Sequence, residues 1–151
     1  MAKISLDYPI NMQRFLPHRK PILMVDFVTY ITKEIIHTNF KIDAGNVFIE
    51  NGCFNETGVI ENAAQTCSGI VGWPHFEKQN YDENYRVEGF ISKIQKAEIF
   101  SLPPVGAIIE TKGELVTMHP VENLYNCKMD CSTYCNGEKI AHCMFTLIII
   151  P

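Results

Sequence analysis

Glu61 is the only charged residue in the segment 57–73, TGVIENAAQTCSGIVGW. Apolar residues recur there at helical spacing, so the segment predicts a helix that is buried nearly all round. Burial disfavours the charged form of a carboxyl group, whereas the positive end of a helix favours it. A carboxyl group held between these effects suits general acid catalysis. A first-turn Glu that reaches solvent or an arginine explains the pattern equally well.

Cys53 lies in the segment 51–54, which leads directly into this helix. Backbone amides at the start of the helix, around Thr57, Gly58 and Val59, could bind a carbonyl oxygen or an oxyanion. Cys53 would then lie within a few residues of both an oxyanion donor and an acid. A thiol without a base or helix dipole beside it stays protonated at neutral pH, so a structural role is the other interpretation.

The remaining cysteines and histidines predict no metal site and no bound cofactor. Cys127, Cys131 and Cys135 are spaced four apart, which places them on one face of a strand as small buried residues of a reducing compartment. The sequence has no C-x-x-C pair and no H-x-x-x-H pair. Glycine motifs that bind phosphates or dinucleotides are absent as well.

The composition is that of an ordinary globular protein, with 151 residues, 46% hydrophobic and 20% charged. The length predicts a single domain over 1–151. No apolar run reaches the roughly 18 residues of a membrane span, and the first residues lack the apolar core of a secretion signal, so we expect a cytoplasmic protein. The net charge of −4 argues against a nucleic-acid binder.

The elements that must position Glu61 follow from periodicity and turn residues. Residues 8–16 predict a short helix, and the buried helix is expected to end at Pro74. A polar connection, 77–84, separates that helix from a second half rich in strands. Expected strands span 22–31, 35–42, 86–100, 107–118, 121–134 and 139–150, with turns at Thr32-Lys33, His119-Pro120 and Asn136-Gly137. The pattern predicts an α+β fold in which a sheet wraps one helix.

Two segments resemble motifs of the β-hydroxyacyl-acyl carrier protein dehydratases. Residues 16–26, LPHRKPILMVD, resemble that family's N-terminal signature, which reads roughly L-P-H-R-x-P-x-L-x-V-D. Residues 60–65, IENAAQ, resemble its catalytic helix, I-E-A-x-A-Q. Weaker similarity at 103–106 and 136–138 extends the resemblance over nearly the whole chain.

The resemblance implies a hotdog fold, in which an antiparallel sheet wraps around one long helix. It also implies a dimer with active sites at the subunit interface, next to an acyl tunnel. In the family, a histidine of a G-H-F-P loop on one subunit pairs with the helix glutamate of the other. Glu61 matches that glutamate and Gln65 the family glutamine one turn later, whereas Cys53 stands in Gly52-Cys53-Phe54 where the family has histidine.

The leading hypothesis is a dehydratase-like protein that acts on β-hydroxyacyl thioesters of acyl carrier protein, in a fatty-acid, polyketide or aryl-polyene type pathway. Glu61 would protonate the departing hydroxyl, while Gly58, Val59 and Gln65 bind the substrate. Cys53 or an unidentified histidine would remove the α proton. The alternatives are a non-catalytic hotdog subunit that binds acyl chains or a catalytic partner, and a thioesterase in which Glu61 activates water or attacks directly. We expect a homodimer or a heterodimer with a related hotdog chain.

Overall fold

The computed structural model describes residues 7–78 and 88–150, with side chains over 7–70 and 89–150. The described chain forms one long helix and nine strands. In chain order these are β1 Ile10–Asn11, β2 Phe27–Ile31, β3 Ile35–Lys41, β4 Ile49–Glu50, β5 Cys53–Phe54, α1 Glu56–Lys78, β6 Glu88–Ile99, β7 Ile108–Val121, β8 Leu124–Cys135 and β9 Glu138–Ile150.

Seven of these strands form one antiparallel sheet in the order β1-β2-β3-β7-β8-β9-β6. Strands β4 and β5 form a separate small hairpin just before α1. The inward faces of β3, β8 and β9 carry alternating buried residues, which pack around the helix. The α+β class and the hotdog arrangement of a sheet around one central helix are therefore confirmed.

The core has two parts, one along the length of α1 and one around its start. The larger part joins Ala63, Cys67 and Ile70 of the helix to apolar residues of β2, β3, β8 and β9. The smaller part gathers Val59 and Phe54 with residues of β3, β7 and β9. The helix is not covered all round, because Ile60, Glu61, Ala64 and Ser68 are only half-buried.

Several predicted boundaries need correction. Residues 8–16 form β1 and a 3-10 turn at Met12–Arg14 instead of a helix. The helix α1 continues past Pro74 to Lys78, so the proline does not end it, although it removes one backbone donor. The turn expected at His119-Pro120 lies at residues 122–123, because β7 runs on until Val121 pairs with Leu124 of β8. The rest of the predicted connection, 79–84, lies outside the described residues.

The Asn136-Gly137 turn is confirmed. Both residues have positive φ values, 51° and 79°, as a two-residue hairpin of type I′ requires. The turn sets the register of β8 and β9, which places Cys131 directly opposite Cys143.

The two edges of the sheet differ in length. β1 has only two residues, whereas β6 has twelve and pairs with β9 alone. Two irregularities in register, at 91–93 and 94–96, interrupt β6, and Phe90 and Ile94 are about half exposed. A long open edge with apolar side chains is a surface on which another strand can pair.

No helix in the described part of the chain is long and apolar enough to cross a membrane.

Gly58 is required where the β5 segment meets the start of α1. A Cβ atom at residue 58 would lie 2.4 Å from Cε1 of the buried Phe54 ring. We expect Gly58→Ala to lower the free energy of unfolding by about 1–3 kcal/mol through overpacking, despite the better helix propensity of alanine. Denaturant unfolding at an unchanged m-value measures this change.

Gly69→Ala is the matched control for that substitution. It lies in the same helix, but its Cβ would meet only the flexible ends of Met12 and Ile36, at 2.7 and 2.9 Å. We expect it to cost less than Gly58→Ala. Equal losses for the two variants would contradict the requirement for glycine beside Phe54.

Candidate active site

The side chain of Gln65 connects the helix to the N-terminal motif segment. Its Oε1 accepts the amide of Met24 at 2.7 Å, and its Nε2 donates to the carbonyl of Ile22 at 2.9 Å. The same Nε2 donates to Oε1 of Glu61 at 2.8 Å. Both N–H groups of the carboxamide therefore donate hydrogen bonds within the chain. Because the Met24 amide can only donate, the atom that it contacts must be the carboxamide oxygen. The substrate contact expected of Gln65 stays a prediction, and Gln65 has no free donor for it.

The hydrogen bonds from Gln65 to Ile22 and Met24 help to explain why residues 22–26 do not continue the predicted strand 22–31. Asn62 donates from Nδ2 to the carbonyl of Met24 at 2.7 Å. The helix side chains thus take both backbone groups of Met24, which a sheet ladder would otherwise pair. Only Phe27–Ile31 forms β2.

Glu61 lies in the second turn of α1, whereas Glu56 occupies the first turn. The Glu61 side chain is half-buried and receives the N–H of Gln65 on one carboxyl oxygen. A carboxyl group that is fixed in this way and still reachable from outside the core can donate a proton to a bound molecule.

The start of α1 is capped by Asn55. Its Oδ1 accepts the amide of Gly58 at 2.9 Å, and its backbone carbonyl accepts the amide of Val59 at 3.0 Å. Of the amides predicted to bind a carbonyl oxygen, those of Gly58 and Val59 are therefore engaged in the cap. A substrate oxygen bound by Gly58 would have to replace the Asn55 side chain.

Cys53 lies in β5, opposite Glu50 of β4, and forms an isolated bridge with Pro104. It is half-buried, and its thiol has no hydrogen-bond partner in the described part of the chain. The structure thus places Cys53 on the segment that packs against the helix start, with no hydrogen bond to Glu61.

Two histidines lie on the outer face of the sheet, away from α1. The ring of His37 is tilted against that of Tyr30, with 5.4 Å between the ring centroids. Burial together with the charge of Lys112 lowers the pKa of His37. His142 contacts Oδ1 of Asp130 at 2.8 Å. Since these side chains alternate with the buried residues that face the helix, neither can reach Glu61 as a base.

The buried thiols show no metal-binding arrangement. Burial raises the pKa of Cys127 to about 11 and that of Cys143 to about 12, so both are protonated at neutral pH. A hydrogen bond with Cys67, together with burial, raises the pKa of Cys131. Among the described residues, no group of three or more histidine, cysteine or acidic side chains could hold a metal ion.

A surface cavity of about 470 Å³ lies beside the motif segment. Pro21, Leu23 and Val25 line it, whereas the backbone groups of Ile22 and Met24 face the helix side chains. Glu61 is not part of its lining. A molecule bound there would touch residues 21–25, to which Gln65 binds, without reaching the carboxyl group of Glu61.

The family match covers nearly the whole chain. Residues 10–147 match the family model of ApeP-like proteins, described as ApeP dehydratase. The chain belongs to the ApeP-like dehydratase family. No curated protein matches the sequence.

Solved structures share the fold at low identity. A chain of the dehydratase heterocomplex ApeI:P from Xenorhabdus doucetiae has a TM-score of 0.76 at 16% identity, over 91% of this chain and 90% of that one. An uncharacterised protein from Pyrococcus horikoshii has 0.65 at 13% identity, over 93% of each chain. A hypothetical thioesterase from Streptococcus pneumoniae, solved with coenzyme A, has 0.60 at 12% identity, over 81% of this chain and 83% of that one.

Sequence reasoning did not find Asn62. This buried carboxamide stands where the dehydratase pattern has alanine, and it binds the same residue as Gln65. An amide side chain inside a segment predicted to be buried was the signal that could have identified it, because buried amides require partners.

The site makes a prediction about thiol reactivity. In the native protein at pH 8, we expect iodoacetamide to modify the half-buried Cys53 and Cys135 while Cys127 and Cys143 stay unmodified. Peptide mass spectrometry of the alkylated protein measures this, and the same reaction in denaturant should label all four. Modification of Cys143 at the rate of Cys53 would contradict the buried arrangement.

Proposed function

We propose that this chain is the acid-bearing subunit of a hotdog dehydratase that acts on β-hydroxyacyl thioesters of acyl carrier protein. The observation that supports it most is the contact between Gln65 and Glu61, which gives the family's glutamate a fixed orientation. An N–H that points at Oε1 leaves Oε2 as the oxygen that carries the proton of the acid form.

In the proposed reaction, a base removes a proton from the α carbon of the acyl chain. The electron pair of that C–H bond forms the double bond between the α and β carbons, and the bond from the β carbon to the hydroxyl oxygen breaks. Glu61 gives its Oε2 proton to the departing oxygen, which leaves as water. Glu61 acts only as the acid, and Gln65 acts on the substrate only through Glu61.

The base is the part of the site that this chain does not supply in the family's form. Cys53 occupies the position of the family histidine, and a neutral thiol is a weak base at neutral pH. Because the family pairs the glutamate of one subunit with the histidine of the other, a related hotdog subunit can supply the missing imidazole to Glu61. The ApeI:P heterocomplex is a precedent for two different chains in one dehydratase assembly.

The open edge β6 is the surface we propose for that partner. Its twelve residues offer unpaired backbone groups, and the half-exposed Phe90 and Ile94 add apolar area. Ile60 and Ala64 lie on the half-buried side of α1. A partner strand on β6 would extend the sheet without disturbing the hydrogen bonds of Gln65.

Recognition of an acidic carrier protein requires local positive charge, because the net charge is −4. Arg19 and Lys20 are exposed on the motif segment beside Ile22. Lys96 of β6 is a weaker candidate, since Glu98 pairs with it at 2.8 Å. We therefore place the carrier protein near residues 19–20.

The replacement of histidine by Cys53 also supports a second candidate, a non-catalytic hotdog subunit. In that case the chain would stabilise a catalytic partner without taking part in the reaction. The two functions differ in whether Glu61 matters for turnover.

Cys53→His, combined with Glu61→Gln, distinguishes these functions. If Cys53 occupies the place of a lost base, the wild-type chain alone should be inactive, and Cys53→His should hydrate crotonyl thioesters and dehydrate β-hydroxybutyryl thioesters. More imidazole than thiol is in the basic form at pH 7, since the reference pKa values are about 6.5 and 8.5. Product formation by chromatography, with light scattering of the same samples, measures activity and assembly together.

The control is Cys53→His combined with Glu61→Gln, which should lose the gained activity. Wild-type activity without a partner that disappears in Cys53→Ala would instead identify Cys53 as the base. The proposal is wrong if Cys53→His stays inactive and the wild-type chain assembled with a histidine-bearing hotdog subunit is unaffected by Glu61→Gln.

A further inference from the structure

A continuous chain of buried hydrogen bonds runs from the sheet to Asn62. The hydroxyl of Thr111 on β7 donates to Oδ1 of Asn62 at 2.6 Å. Thr133 on β8 lies 3.2 Å from the Thr111 oxygen, and it must donate because the Thr111 proton is already used. All three residues are at most 1% exposed. The direction of every bond in this chain is therefore set.

This series of hydrogen bonds continues from Asn62 to the carboxyl group of Glu61. Asn62 holds the carbonyl of Met24, while Gln65 holds the amide of Met24 and the carboxyl of Glu61. Met24 is fully buried, so neither of its backbone groups can turn to water instead. The positions of Gln65 and Glu61 therefore depend on Met24, whose carbonyl and amide groups are both hydrogen-bonded to side chains of α1.

We propose that Asn62 is a positioning residue for Glu61, acting through Met24 and Gln65. The proposal rests on the function proposed above, in which Glu61 is the acid. Asn62 contributes by fixing Met24, so that the Gln65 carboxamide keeps one N–H directed at Glu61 Oε1. A buried carboxamide is costly without partners, and here each end has one.

The structure contains a matched control for this role. Thr66 of α1 and Thr38 of β3 also form a buried helix-to-sheet hydrogen bond, at 2.8 Å, but no hydrogen bond joins either of them to Met24. Thr66→Val and Thr111→Val each replace one buried hydroxyl by a methyl group of similar size. Only Thr111→Val interrupts the series of hydrogen bonds that leads to Glu61.

The first arm of the test observes the Gln65 side chain directly. In isotope-labelled protein, we expect solvent exchange of the Gln65 Nε2 protons to be roughly tenfold faster in Asn62→Ala and Thr111→Val, as loss of about one net hydrogen bond implies. Thr66→Val should leave the rate unchanged, and Thr111→Ser should restore it. This arm needs no substrate, so it remains informative if the chain proves not to be a dehydratase.

The second arm measures dehydration in the active assembly. We expect Asn62→Ala and Thr111→Val to lower kcat by roughly 10- to 100-fold with little change in KM, because a misplaced acid slows the chemical step and leaves binding intact. Thr66→Val should keep kcat at an equal loss of stability. If Thr66→Val lowers kcat as much as Thr111→Val, or if Gln65 exchange is unchanged in Thr111→Val, the positioning role is refuted.

Discussion

The Gln65 carboxamide is the contact on which the arrangement of the site depends. One side chain makes three hydrogen bonds, to the backbone on either side of residue 23 and to the carboxyl of Glu61. It thereby joins the two family motifs, which are about forty residues apart in the sequence, and orients the carboxyl group of Glu61. The contact with Met24 is buried, which strengthens that hydrogen bond, whereas the contacts with Ile22 and Glu61 are only partly buried.

The fold was predictable because its signals are local. Glu61 stood out in an uncharged helical segment, and Asn136-Gly137 specified its hairpin turn. The errors arose where tertiary contacts outweighed local preference. Residues 22–26 have strand-forming composition, yet Gln65 and Asn62 take the backbone of Met24. The capping of Gly58 by Asn55 depends on a loop conformation that no spacing rule specifies.

The position of Cys53 makes the proposed site incomplete within one chain. The proposed acid, Glu61, is held by Gln65 of its own helix, whereas Cys53 stands in place of the family histidine. The side chains of His37 and His142 lie on the outer face of the sheet. The long open edge of β6 and the half-exposed side of α1 are the surfaces from which a partner could complete it. These three observations together support the proposed division of one reaction between two related subunits.

The most direct test of Glu61 as the acid compares two leaving groups in the Glu61→Gln variant of the active assembly. A hydroxyl needs a proton to depart, whereas chloride leaves as a stable anion. We expect Glu61→Gln to slow elimination from a β-hydroxyacyl thioester by ~100-fold or more and to change elimination from the β-chloroacyl analogue only slightly. Equal losses with both substrates would contradict the assignment of Glu61 as the proton donor.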